Sequence, residues 1–279
     1  MPNTLTGVPA AAAIYAQVRE HAAALLDAPP CLAAVSVGAQ PDDRAYLHSI
    51  TQAAEGCGVA VRPVPLPADC APETLTDTLR ALSADGAVHG VLLLRPLPAA
   101  LRAQEILDTL DARKDVDGMT TRSLGALVTG AAGFAPCTAE ACMELLRAHG
   151  IDPAGRRVTV VGRSLVIGRP AALLLTRADA TVTLCHRKTP DLAARCREAD
   201  ILLAAAGAPG LITRDFVRPG QIVLDAGATA LPDGTLRGDV APDAAAIAVC
   251  TPVPGGIGSV TTALLLRHTV QAAENLRHF

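Results

Sequence analysis

Residues 158–170, which read VTVVGRSLVIGRP, decide the fold. A short β-branched run ends at Gly162, and apolar character resumes before Gly168 and the helical run that follows. Strand, tight turn and helix in this order are typical of the first unit of a parallel α/β domain. The start of such a helix offers free backbone N–H groups to a phosphate, and Arg163 adds a cation. Because the usual G-x-G-x-x-G spacing is absent, a plain strand-to-helix turn is the alternative at this point.

Composition limits the class of protein. The 279 residues have room for one large or two medium domains, and no apolar run reaches the ~18 residues that a membrane-spanning helix needs. The N-terminal residues lack a basic segment ahead of their apolar one, so we expect no secretion signal, no membrane partner and a cytoplasmic location. A net charge of −3 and 2% aromatic residues offer neither a phosphate-neutralising face nor a stacking platform, which argues against nucleic acid as a partner.

The eight cysteines are scattered through apolar segments without a C-x-x-C pair. This pattern predicts reduced and mostly buried thiols, and it favours neither a disulfide framework nor a metal site.

Strands alternate with helices along both halves of the chain. The pattern predicts strands at 31–37, 61–66, 88–94, 158–161, 181–185, 200–206 and 221–227. It predicts helices at 101–110, at 138–149 with Thr138 as its cap and Glu140 and Glu144 exposed, and at 261–277. The alternation indicates an α/β fold with parallel sheets, in which ligands lie beyond the carboxyl ends of the strands.

The second strand of the C-terminal half indicates which dinucleotide is bound. Sites that prefer NAD place an acidic residue at the end of this strand, whereas here Cys185 is followed by His186, Arg187 and Lys188. A basic cluster suits a 2′-phosphate, so the sequence predicts NADP. Solvated cations at a strand end are the alternative.

Five motifs occur in a fixed order: KDVDG at 114–118, PCT at 136–138, VVGRSLVIGRP at 160–170, GDV at 238–240 and TPVPGGIGSVT at 251–261. In order and spacing they resemble the methylenetetrahydrofolate dehydrogenase/cyclohydrolase family, named FolD in bacteria. The resemblance implies an N-terminal α/β substrate domain, 1–120, with 267–279 as a C-terminal helix returning to it. It also implies a Rossmann-like parallel-sheet NADP-binding domain, 121–266, and a homodimer formed through that domain.

The resemblance also assigns roles to residues. It implies that Tyr46 and Asp117 are catalytic, with Asp117 gripping the pteridine ring. The tetrahydrofolate substrate would contact Tyr46, Ile50, Leu94, Pro96, Asp117, Pro254, Gly255, Gly256 and Ser259. The NADP cofactor would contact Gly162, Arg163, Ser164, Ile167, Gly168, Arg187, Lys188, Ala206, Gly227 and Gly256.

Several positions depart from the family's pattern. The family places a Lys four residues after the Tyr, where this chain has Ile50, and a Gln where it has Leu94. Lys114 and Lys188 are the only lysines, so no shift of alignment restores the amine. Asp43 stands where the family has Ser, and Ser259 and Val260 where it has Pro and Met.

These departures affect the family's two reactions unequally. Hydride transfer from 5,10-methylenetetrahydrofolate to a nicotinamide needs close and aligned carbon atoms but no proton acceptor. Hydrolysis of the resulting methenyl cation needs a positioned acid or base, which is the role of the Lys and Gln in the family. We therefore expect an NADP-dependent dehydrogenase with weak or lost cyclohydrolase activity.

Alternatives remain open at this stage. One is an enzyme of this fold that acts on another imine or aminal, and another is a catalytically silent paralogue that binds folate or a dinucleotide. Two residues are candidates to compensate for the missing Lys. His48 lies about 200° from Tyr46 round a helix and is expected to face away from the pocket, and Asp43 is either a base at the pocket edge or a solvated turn acid.

Overall fold

The computed structural model describes residues 4–25, 28–38, 41–231 and 234–277, except for the side chains of residues 41, 42 and 277. The chain divides into two compact units. The first unit comprises Ala13–Cys137 and Thr262–Phe279, and the second unit comprises Met1–Ala12 and Thr138–Thr261. Residues 1–3, 278 and 279, which fall in the domains expected from the sequence, lie outside the described residues.

The boundaries of the units differ from the expected domain limits at both ends of the first unit. The N-terminal residues group with the second unit because the N–H of Leu5 donates to the Cys250 carbonyl, and that of Gly7 to the Gly255 carbonyl, both at 2.8 Å. Residues 121–137 group with the first unit, where the N–H and hydroxyl of Thr121 donate to the Asp108 carboxylate at 2.7 and 2.6 Å.

A three-stranded parallel sheet forms the centre of the first unit, in the order β2-β1-β3. Six of the seven residues of the central strand are buried, as expected of a parallel strand covered on both faces. The strands are β1 (Cys31–Val37), β2 (Ala60–Leu66) and β3 (Gly90–Leu93), and the helices are α1 (Val8–Ala24, which begins in the second unit), α2 (Pro41–Glu55), α3 (Pro72–Ala84), α4 (Gln104–Leu107) and α5 (Thr121–Thr129).

A five-stranded parallel sheet forms the centre of the second unit, in the order β10-β7-β6-β4-β5. The order reverses beside β4, which is where open α/β sheets bind their ligands. The strands are β4 (Arg157–Val161), β5 (Thr181–Cys185), β6 (Ile201–Ala204), β7 (Ile222–Asp225) and β10 (Val249–Cys250), with an antiparallel pair β8 (Thr229–Ala230) and β9 (Leu236–Arg237). The helices are α6 (Cys137–Ala148), α7 (Gly168–Arg177), α8 (Leu192–Glu198) and α9 (Pro242–Ala245).

The last helix, α10 (Ile257–Arg277), begins in the second unit, and from Thr262 onward it belongs to the first. The α/β fold, the parallel sheets and the C-terminal helix that returns to the first unit confirm the fold class predicted from the sequence. Helix α10 begins at Ile257, four residues before the predicted start at Thr261. The sequence pattern placed the start too late because the glycines that precede the apolar run are typical of a loop.

Two predicted helices are wrong in detail. In place of one helix over 101–110, the chain forms a 3₁₀ turn at Ala99–Leu101 and then the short helix α4. Helix α6 begins at Cys137, so Thr138 lies in its first turn and is not its cap, while Glu140 and Glu144 are half-buried rather than exposed.

The described residues contain no helix with the length and apolar character needed to cross a bilayer. All eight cysteines are free thiols, and six of them are buried.

Candidate active site

Helix α2 carries two of the candidate substrate residues, Tyr46 and Ile50, one turn apart on the same face. Tyr46 is 38% exposed, whereas Ile50 is fully buried. His48 is exposed and Asp43 is half-buried. The helix therefore holds a hydroxyl at position 46 and no charge at position 50.

The Tyr46 hydroxyl faces the interior of the first unit although the residue as a whole is partly exposed. It is hydrogen-bonded to the side chain of Thr262 and lies near Asp117 and Cys137. Burial, and after it the negative charge of Asp117, raises the pKa of Tyr46 well above its usual range. The hydroxyl thus keeps its proton, and Tyr46 can donate a hydrogen bond but is a poor base.

The first two residues of the KDVDG motif form hydrogen bonds with residues outside the motif. The Nζ of Lys114, a residue only 4% exposed, donates to the carbonyls of Leu82 and Asp85 at 3.2 and 2.7 Å. The buried Asp115 carboxylate accepts three hydrogen bonds of 2.7–3.0 Å, from the N–H groups of Met119 and Thr120 and from the hydroxyl of Ser123. Both charged groups are used within the fold, which leaves Asp117 as the motif's carboxylate for ligand chemistry.

Asp117 lies in surroundings that disfavour its ionised form. Desolvation, followed by the charge of Asp115, raises the pKa of Asp117 to about 6. Arg95, the Cys137 thiol and His268 act in the opposite direction. A carboxyl group with this pKa changes its charge near neutral pH, which is typical of functional positions.

Leu94 and Pro96 follow β3 at the carboxyl end of the first sheet. The N–H of Leu94 donates to the Val35 carbonyl at 2.9 Å, and its side chain is 5% exposed. Pro96 is exposed and follows a cis peptide bond from Arg95. The segment presents no side chain at position 94 that could carry a proton.

The turn between β4 and α7 is packed backbone against backbone. Gly162 has φ +126°, and a Cβ there would lie 2.0 Å from the Ala205 carbonyl oxygen. A Cβ on Gly168 would lie 2.0 Å from the carbonyl oxygen of Gly162. The Ser164 hydroxyl accepts a hydrogen bond from the N–H of Ile167 at 3.1 Å. The ten-residue α7 then starts beside this turn, a geometry suited to a phosphate.

Three cations follow the carboxyl ends of β4 and β5, which are neighbouring parallel strands. Arg163 on the turn and Arg187 and Lys188 after β5 are exposed, and none of them forms an ion pair with a described residue. The turn after β5 is held by the N–H of His186, which donates to the Thr189 hydroxyl at 2.9 Å. The cations are thus available to an anionic ligand.

Ala206 and Gly227 depend on a carboxylate to which the sequence analysis gave no role. The fully buried Asp239 accepts hydrogen bonds from three consecutive N–H groups after β6, those of Ala206 at 2.6 Å, Gly207 at 3.1 Å and Ala208 at 2.7 Å. Gly227 is buried against it, and a Cβ there would lie 2.6 Å from Asp239. The GDV motif was the available signal for this residue.

A second buried carboxylate lies next to Asp239. Asp225 accepts from the N–H groups of Gly227, Asp239 and Val240 at 2.9–3.0 Å. Burial raises the pKa of Asp225, while these backbone hydrogen bonds act in the opposite direction. Together the two carboxylates fix the loops at the carboxyl ends of β6 and β7.

The glycine-rich loop before α10 belongs to the second unit. Gly255 has φ +98°, and a Cβ on Gly256 would lie 2.4 Å from the Pro252 carbonyl oxygen. Pro254 is exposed, and the N–H of Ser259 donates to the Gly256 carbonyl at 3.2 Å. The candidate substrate residues therefore fall into two sets: this loop in the second unit, and Tyr46, Ile50, Leu94, Pro96 and Asp117 in the first.

Within the described part of the chain, no group of three or more His, Cys, Asp or Glu side chains is placed to hold a metal ion.

Comparison with known proteins agrees with this geometry. Residues 5–117 match the catalytic domain of the tetrahydrofolate dehydrogenase/cyclohydrolase family, and residues 136–277 match its NAD(P)-binding domain. A curated relative, the bifunctional protein FolD of Chloroflexus aurantiacus, is 47% identical over 94% of this chain and 91% of its own length. The FolD of Nocardia farcinica is 44% identical over 98% of both chains.

Solved structures give the same result. The FolD of Campylobacter jejuni superposes with a TM-score of 0.93 at 37% identity, over 98% of both chains. The FolD of Trypanosoma brucei, solved with NADP and an inhibitor, gives 0.91 at 35% identity, over 98% of this chain and 97% of that one. The chain therefore belongs to the tetrahydrofolate dehydrogenase/cyclohydrolase family and is an enzyme built from that family's catalytic and NAD(P)-binding domains.

Proposed function

We propose that this chain is an NADP-dependent methylenetetrahydrofolate dehydrogenase whose methenyl cyclohydrolase activity is weak or absent. A hydride leaves the methylene carbon of 5,10-methylenetetrahydrofolate and joins the nicotinamide ring of NADP⁺. The products are NADPH and the 5,10-methenyl cation, whose charge is spread over two nitrogens.

The proposal depends on one observation: Ile50 is fully buried one turn after Tyr46, at the position where the resemblance to the family places a lysine. The buried Leu94 stands where the family has a glutamine. Hydride transfer needs aligned carbon atoms and no proton carrier, so apolar side chains at both positions are compatible with it. Ring opening needs a positioned acid or base, and neither side chain can act as one.

The remaining groups have roles that suit oxidation. Asp117 as a carboxylate accepts hydrogen bonds from the pterin N–H groups, and it favours the cation that develops on the substrate. Tyr46, which keeps its proton, donates a hydrogen bond to the bound ring. Binding and orientation of the substrate are thus retained when proton transfer is lost.

NADP is the cofactor in this proposal. Support comes from the unpaired cations Arg187 and Lys188 after β5 and from Arg163 on the turn after β4, which suit a 2′-phosphate and a pyrophosphate. The Trypanosoma brucei relative was solved in complex with NADP. Residues 162–168, Ala206 and Gly227 form the backbone cradle for the dinucleotide.

We place the enzyme in the cytoplasm as a homodimer. The eight free thiols favour a reducing compartment. The edge strand β5 leaves Thr181, Thr183 and Leu184 exposed, which suits pairing with a second copy.

The test measures both reactions in one cuvette. With methylenetetrahydrofolate and NADP, we expect absorbance of the reduced nicotinamide to rise, and with methenyltetrahydrofolate we expect decay no faster than in buffer. Rapid enzyme-dependent decay would show a full bifunctional enzyme. If no reduced cofactor forms, the dehydrogenase assignment fails, and an enzyme for another imine or aminal or a silent binding protein takes its place.

A further inference from the structure

The turn that carries Asp117 is enclosed by a second segment of the first unit. Gly118 has φ +65°, and a Cβ there would lie 2.5 Å from the carbonyl carbon of Ala135 and 2.6 Å from the Phe134 oxygen. Gly118 therefore packs directly against residues 134–136, with no room for a side chain at position 118.

The carbonyl of Val116, the residue before Asp117, is contacted by two buried side chains. His268 on α10 places Nδ1 2.9 Å from this oxygen, and Cys137 places Sγ 3.2 Å from it. Because a carbonyl can only accept, His268 carries a proton on Nδ1 and donates it. The His268 ring stacks on Phe134 at a centroid distance of 4.8 Å, which fixes its orientation.

The Cys137 thiol joins this pair to the carboxylate. Its Sγ lies 3.6 Å from His268 Nδ1, and it is hydrogen-bonded to the side chain of Asp117. Cys137 thus has two acceptors within reach, the Val116 carbonyl and the Asp117 carboxylate. The Val116 carbonyl oxygen has two lone pairs and can accept from both His268 Nδ1 and the Cys137 thiol, so the three groups hold one another in place beside the carboxylate.

We propose that His268 is a positioning residue for Asp117, acting through the Val116 carbonyl and the Cys137 thiol, and that it determines how tightly the folate substrate is bound. This inference rests on the proposed function, in which Asp117 binds the pterin. His268 contacts the backbone carbonyl and the thiol that orient the carboxylate.

The charges around Asp117 predict the sign of a second effect. The negative charge of Asp115 disfavours the ionised form of Asp117, whereas Arg95, Cys137 and His268 all favour it. The Tyr46 hydroxyl also lies near Asp117. Loss of His268 or of the Cys137 thiol therefore raises the pKa of Asp117 further. The low-pH limb of kcat/KM for the folate moves to higher pH as a result.

The experiment compares H268A and H268N with H89A as the matched control. His89 is a half-buried histidine of the first unit that also bonds to backbone: its Nδ1 accepts from the N–H of Cys31 at 3.0 Å, at the amino ends of β1 and β3. KM for methylenetetrahydrofolate, KM for NADP, kcat and the pH profile are measured for each variant. Binding of 5-formyltetrahydrofolate by calorimetry gives a readout that is independent of turnover.

We expect H268A to raise KM and Kd for the folates about tenfold, with KM for NADP unchanged and the pH limb shifted upward. H268N keeps a donor near the Val116 carbonyl, so it restores KM to within about threefold of wild type while the limb stays shifted. H89A leaves the folate KM and the low-pH limb at the wild-type values. If H268A does not fold, H268N together with C137A tests the same chain of contacts, and C137A shifts KM and the limb as H268A does.

A folded H268A variant with a folate KM within twofold of wild type and an unshifted low-pH limb overturns the inference. A C137A variant without effect on either quantity overturns it too. A wild-type enzyme without dehydrogenase activity overturns the proposed function instead, so the two failures are distinguishable.

Discussion

At the scale of single residues, the proposed function depends on positions 50 and 94, where apolar side chains are compatible with hydride transfer but not with proton transfer. If a missing proton carrier limits hydrolysis, I50K/L94Q should increase enzyme-dependent decay of methenyltetrahydrofolate about 10²-fold. The cost is a lower melting temperature, because position 50 is fully buried and a lysine there loses its hydration.

The apolar double variant I50M/L94M is the control for repacking and should give no gain in decay. An I50K/L94Q enzyme that binds folate but hydrolyses it no faster would mean that more than these two side chains has changed.

Under the proposed function, Asp117 should make the oxidation pH-dependent. Because its pKa is raised to about 6, the carboxyl group is neutral below that pH and cannot accept from the pterin. kcat/KM for methylenetetrahydrofolate should fall about tenfold per pH unit below this point, with kcat/KM for NADP falling less.

The raised pKa of Asp117 also affects the stability of the fold, which it favours at low pH, where activity is lost. A carboxyl group with a raised pKa binds its proton more tightly in the folded state, so its contribution to stability is present at low pH and is lost as the pH rises through about 6. D117N should therefore be nearly inactive yet more heat-stable than wild type at pH 8. A D117N protein that is less stable at pH 8 would contradict the raised pKa.

At the scale of elements, the loop after β6 depends on one carboxylate. Asp239 accepts from three consecutive N–H groups, and an amide in D239N would turn an N–H donor toward some of them. We expect about 1–3 kcal/mol of lost stability and KM for NADP raised about tenfold, with folate binding unchanged. Chemical denaturation and steady-state kinetics measure the two effects.

D243N is the matched control, since Asp243 is an exposed acid of the same unit. Equal effects of D239N and D243N on KM for NADP would refute the role of the loop.

Strands that carry a clear local pattern could be predicted from the sequence, and β1 and β5 begin and end at the predicted residues. Helix α5 was not predicted, because its Gly125 and its three Ser and Thr residues weaken the helical pattern; it is held instead by the Thr120 cap and by the hydrogen bond from Ser123 to Asp115. The candidate site divides in the same way. Motifs identified Asp117, but the contact between Cys137 and His268 beside it joins residues 131 positions apart, which no local pattern encodes.

At the scale of the whole molecule, the exposed edge of β5 determines the proposed assembly. Leu184, the fourth of the five residues of β5, is 40% exposed, and a charge there opposes burial against a second copy. L184E should run as a monomer in sedimentation experiments at concentrations where the wild type is a dimer.

V128E serves as the control, because Val128 is 65% exposed on α5 in the first unit and should not affect assembly. A wild-type protein that sediments as a monomer at high concentration would contradict the homodimer.

The scarcity of lysine has a practical consequence. Of the two lysines, Lys114 is enclosed with its amine on backbone carbonyls, and Lys188 is exposed after β5. Amine-selective acylation of the folded protein therefore has one side chain to modify. A fluorophore attached there would lie where we propose the dinucleotide's 2′-phosphate to bind. Bound NADP should therefore protect Lys188 from labelling, and the fluorescence of the labelled protein should report NADP binding.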